Sequence, residues 1–132
     1  MAMPAREMTF QTAKEQALTL HRSLIPSASP EVRAKITAAA RAARTYLSTC
    51  GQDCDLHAFL NKDLSRRFST RKTKELQLLE TLIFAETISE MSEQDQLDLQ
   101  NRLQQQQQIV QMISNIMKLN SDTALSIIRK IG

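Results

Sequence analysis

The sequence predicts an all-α fold, a small bundle of about five helices that ends in a long amphipathic C-terminal helix. Three observations carry this. Gly and Pro number only 2 and 3 in 132 residues, too few for the turns of a sheet protein. Aromatic residues make up 4% of the chain against 42% apolar, so a core must come from Leu, Ile, Ala and Met, which suits helices better than strands. Apolar residues also recur at three- and four-residue steps along most of the chain.

Residues 1–8 are expected to be disordered, within a single helical domain spanning 1–132. Phe10, Ala13, Ala17, Leu20 and Leu24 then place a first helix over 10–25, with Thr12 and Glu15 in the form of a capping box. Pro26-Ser27-Ala28-Ser29-Pro30 breaks it and starts a second, because Ser29 can cap exposed N–H groups while Pro30 fits the first helical position. Val32, Ile36, Ala39, Ala43 and Leu47 carry that helix to Gly51, with a small-residue face that invites the first helix as neighbour. Asp53 or Asp55 can cap a third helix holding Leu56, Phe59, Leu60, Leu64 and Phe68. From Thr73, apolar residues cover more than one face, which predicts a centrally buried helix reaching Met91.

Ser92 with Asp95 can start the last element. Its segment 97–132 reads as a C-terminal interaction helix: Leu99, Leu103, Val110, Ile113 and Met117 step by threes and fours, with Gln106 interrupting the seam. Asn120-Ser121-Asp122 is a candidate kink before an apolar finish at Leu125, Ile127, Ile128 and Ile131, a pattern that suits internal core and partner surface alike.

The net charge of +3 is too small to require a polyanionic partner, but it is unevenly spread. Lys and Arg are in excess through position 74, and Asp and Glu from Glu75 onward. No stretch approaches the roughly 20 apolar residues of a membrane span, and the N-terminus lacks the apolar core of a cleaved signal, so a soluble protein is expected.

Catalytic and cofactor chemistry find no purchase. There is no Gly-rich phosphate loop and no nucleophile elbow, and two His are too few for acid–base pairs or a metal triad, so neither an enzyme nor a cofactor is expected. Glu86 and Glu90 share a helix face at i,i+4, the usual pattern of a solvated surface. Cys50, Cys54 and His57 echo zinc ligation, yet a closed site needs a fourth ligand and the other His, His21, is distant in sequence. A Cys50–Cys54 disulfide is geometrically possible across the Gly51 turn, although reduced thiols are the expectation without a secretory signal. Arg66, Arg67, Arg71, Lys72 and Lys74 form the strongest nucleic-acid signal and support a helical nucleic-acid-binding regulator as the alternative function. They lack interleaved aromatics beyond Phe68 and adjoin an acidic stretch, so a solvated, ion-paired helix junction is the plainer reading.

Two segments, Pro26 to Pro30 between amphipathic helices and Gln107 to Gly132 with Asn120-Ser121-Asp122-Thr123 before an Ile-rich end, resemble the needle and filament subunits of bacterial type III secretion systems. The chain is longer than a typical needle subunit, holds extra helices between the two segments and lacks that family's aromatic-rich N-terminus. The resemblance therefore implies an accessory, translocator-like subunit or chaperone rather than the needle itself, made in the bacterial cytoplasm and open to export through such a system without a cleaved signal. Its partner would be a helical secretion-apparatus subunit, with Leu99, Leu103, Val110, Ile113, Met117, Leu125, Ile127, Ile128 and Ile131 as contact surface. A coiled-coil homodimer is a further reading of the same seam. Residues 120–132 would then be dispensable for folding of the rest.

Overall fold

Leu78, Leu79, Leu82, Ile83, Phe84, Ala85 and Ile88 leave the helix over Thr73–Ser89 no polar face, and the structure, a computed structural model, buries them all at its centre. It describes residues 8–103 and 106–131. Among these, every helix or strand assigned is helical: α1 (Phe10–Leu24), a 3-10 turn (Ile25–Ser27), α2 (Pro30–Thr49), α3 (Leu56–Arg67), α4 (Thr73–Ser89), α5 (Glu93–Arg102), α6 (Gln106–Met117) and α7 (Ser121–Lys130). Residues 1–7 of the expected disordered segment, and Gln104, Gln105 and Gly132, lie outside the described residues, while Met8 is half-buried against the core.

The helix starts follow local chemistry. Ser29 Oγ accepts the Val32 N–H at 3.1 Å, Asp55 Oδ1 accepts that of Ala58 at 3.0 Å, and Ser92 Oγ accepts that of Asp95 at 3.1 Å. The first helix begins one turn earlier than its apparent capping box, because Thr9 Oγ1 accepts the Thr12 N–H at 3.1 Å and Thr12 is already helical. Gly51, at φ +72°, turns the chain after α2 in a conformation that residues with a Cβ rarely adopt.

Both α1 and α2 pack on α4; α3 lies against α2 and α4, and α6 against α1 and α4. The alanine face of α2 thus meets α4 chiefly, rather than α1. Thr81 and Thr87 are tolerated inside because their hydroxyls donate to the carbonyls of Gln77 and Ile83 at 2.8 and 2.7 Å.

The long C-terminal helix expected over 97–132 is instead three helices, which raises the number from about five to seven among the described residues. Leu103 leaves helical geometry at ψ 122° and forms an isolated parallel bridge with Cys54, ending α5 through a tertiary contact. Asn120, at ψ 163°, ends the next segment and caps α7 through its Oδ1, 2.7 Å from the Thr123 nitrogen. None of the described helices is long and apolar enough to cross a membrane.

Candidate functional site

The seam proposed for partner contact is largely spent inside the chain. Leu99, Leu103, Val110, Ile113, Ile128 and Ile131 are all buried: α6 closes over α1 and α4, α7 packs on α1, α4 and the 3-10 turn, and Leu103 bridges Cys54. Apolar periodicity marks a face that must be covered and says nothing of whose atoms cover it. Of the nine residues, Leu125 and Ile127 are half-buried and only Met117 is exposed, at 38%. Leu97 on α5, which the seam omitted, is 56% exposed.

Met117 and Leu125 meet at one place. Leu20 and Leu24 of α1, Ile116 and Met117 of α6, Leu119 of the junction and Leu125 of α7 line an apolar groove of about 180 Å³. It sits where α6 ends and α7 begins, beside the end of α1. Ser23 and Ser121 form its polar rim. Such a groove accepts an apolar side chain from another molecule and offers no group for acid–base or nucleophilic chemistry.

The basic segment is partly consumed by its own chain. Asp63, only 2% exposed, accepts from Arg67 Nε at 2.6 Å and from Arg66 Nη2 at 3.2 Å. Arg71 Nη1 turns onto the carbonyls of Phe68, Ser69 and Thr70, tying down the α3–α4 link. Lys72 and Lys74 stay exposed at the start of α4.

Two His–Glu pairs join the central helix to its neighbours. Glu80, 3% exposed, accepts from His57 Nδ1 at 2.7 Å, and Glu86 lies 3.2 Å from His21 Nε2. The signal was present: a carboxylate on a helix with no solvent face requires a partner. The bond to Glu80 holds His57 above its ordinary value even though burial opposes it; burial raises Glu80, with His57 pulling the other way. Glu86 is therefore not on the solvated surface expected of it, whereas Glu90 is exposed and pairs with Arg44 at 2.5 Å.

The expected reduced thiols are corrected by the structure: Cys50 and Cys54 are joined in a disulfide. This removes both thiolates from the zinc-like pattern, and His57 bonds Glu80 instead. Among the described residues no three His, Cys, Asp or Glu side chains gather as a metal-binding set. Arg102 reaches from α5 to this loop and forms one wall of a cleft of about 620 Å³ between α2 and α5, together with Arg44, Leu47, Met91 and Asp98. No protein-family model, curated protein or solved structure matches the chain.

Proposed function

We propose that the chain is a non-enzymatic helical interaction protein of a bacterial type III secretion system, assisting or controlling assembly of needle, filament or translocator subunits. The observation that carries the reading is the apolar groove at the α1, α6 and α7 corner, where Met117 remains exposed. Ile116, Met117, Leu119 and Leu125, which line it opposite α1, belong to the C-terminal segment whose polar-then-apolar pattern resembles those subunits. A helical partner would place one apolar side chain in the groove and lay its flanking residues along Met117 and Leu125. The Cys50–Cys54 disulfide supports export, because such bonds persist in oxidising surroundings and are rare in the cytosol. The nucleic-acid alternative has less behind it, since Arg66 and Arg67 pair with Asp63 and Arg71 is held on backbone carbonyls.

The test is Met117→Glu, with Leu97→Glu as a more exposed control away from the groove. Full burial of a large apolar side chain is worth about 1.5–3 kcal/mol, so Met117→Glu should weaken co-purification with needle, filament or translocator subunits by about tenfold or more. Leu97→Glu should leave it intact. Equal binding by wild type and Met117→Glu would overturn the reading.

A further inference from the structure

The α2–α3 loop holds chemistry that groove docking does not use. Its disulfide joins Cys50, just past the end of α2, to Cys54, four residues on. The two sulfurs differ in access, for Cys54 is wholly buried and Cys50 only half-buried. They differ in electrostatics as well. Arg102 Nη1 lies 4.0 Å from Cys54 Sγ while donating to the carbonyls of Leu47 at 2.9 Å and Gly51 at 3.4 Å. The Cys54 N–H in turn donates to the Arg102 carbonyl at 3.3 Å, and Leu103 pairs with Cys54 in the isolated bridge. One residue of α5 thus holds the buried end of the disulfide through both its backbone and its side chain.

Thiol–disulfide exchange has a directional requirement: the attacked sulfur must be reachable, and the departing sulfur leaves faster when its thiolate is stabilised. Cys50 meets the first condition. Cys54 meets the second, since a guanidinium beside it favours the thiolate. The geometry points to Cys50–Cys54 as a thiol-exchange site, in which a small thiol reductant attacks Cys50 Sγ and Cys54 departs as a thiolate against Arg102.

The step balances. The incoming thiolate forms a sulfur–sulfur bond to Cys50 as the Cys50–Cys54 bond breaks, and the electron pair of that bond goes to Cys54. A second reductant thiolate attacks the reductant's sulfur in the mixed disulfide, which frees Cys50. The two protein thiolates take protons from water, so the protein gains two thiols and two reductant thiols become one disulfide.

The experiment uses the full-length oxidised protein and glutathione as probe. After brief exposure, acid quenching and alkylation, tandem mass spectrometry should find glutathione on Cys50 and the alkyl group on Cys54. An adduct chiefly on Cys54, or two free thiols in protein prepared under air, would overturn the assignment. Arg102→Gln should slow loss of the disulfide several-fold and Arg102→Lys much less, with helix content checked by circular dichroism. Rates for Arg102→Gln equal to or above wild type would refute the role given to the guanidinium; the adduct position in wild type needs no variant to fold.

Discussion

Glu80 shows how a single side chain can set the pH response of a helical protein. It is buried on the central helix with His57 as its hydrogen-bond partner, and both groups titrate above their ordinary values. For His57, a folded value raised above 6.5 means that its contribution is complete below 6.5 and is lost as pH rises through the higher folded value. Glu80 has the same sign: its folded value is raised from 4.5, so the fold favours the protonated carboxyl, and that advantage too is lost as pH rises. Above both values a buried carboxylate faces a neutral imidazole. Urea denaturation from pH 6.5 to 8.5 should therefore show wild-type stability falling with pH. In Glu80→Gln the part of the fall that belongs to His57 should disappear, because the group that raises it is gone. A flat wild-type profile across that window would contradict the pairing.

At the level of elements, stability depends on where helices stop as much as on where they pack. Asn120 ends one helix and caps the next, and its Oδ1 is 2.7 Å from the Thr123 nitrogen. Asn120→Ala should cost about 1 kcal/mol in chemical denaturation, and Asn120→Asp, which keeps the acceptor, much less. Starts of this kind are written in neighbouring residues, which is why Ser29 with Pro30 and Ser92 are legible in the sequence and the third cap narrows to Asp53 or Asp55, of which the structure uses Asp55. The break after α5 was not readable. Nothing near Leu103 stops a helix locally, and Gln is a good helix former. What ends α5 is the backbone of Cys54, 49 positions earlier, to which Leu103 pairs. The same limit applied to the candidate site. The apolar stripe of α6 and α7 was visible, but its assignment to an outside partner failed for Ile113 and Ile128 because α1 and α4 already cover them. Of the residues in that stripe, Met117 and Leu125 line the groove at the α6–α7 junction, whose α1 side, Leu20 and Leu24, no pattern in the stripe could indicate. Both His–Glu pairs join residues on different helices, and no short-range pattern announces such a pair.

For the whole molecule, the governing fact is that the buried apolar side chains form one core around α4, from Phe10 to Ile131. The C-terminal residues therefore belong to the cooperative unit. Ala124, Ile128 and Ile131 are buried, and α7 contacts α1, α4 and the 3-10 turn. Each large aliphatic side chain fully buried contributes about 1.5–3 kcal/mol, and removing residues 120–132 also uncovers the α1 and α4 atoms beneath them. A loss of several kcal/mol is a large share of the 5–15 kcal/mol that stabilises a typical domain. Deletion of 120–132 should thus lower the melting temperature by more than about 10 °C, or remove the cooperative transition altogether, when followed by far-ultraviolet circular dichroism. This reverses the sequence-based expectation that the other helices fold without the tail. It also means that lost partner binding by the truncated chain would say nothing about the groove, whereas Met117→Glu alters the groove and leaves the core in place. A truncated protein that melts cooperatively at the wild-type temperature would show α7 to be a separable arm and return Ile128 and Ile131 to the candidate contact surface.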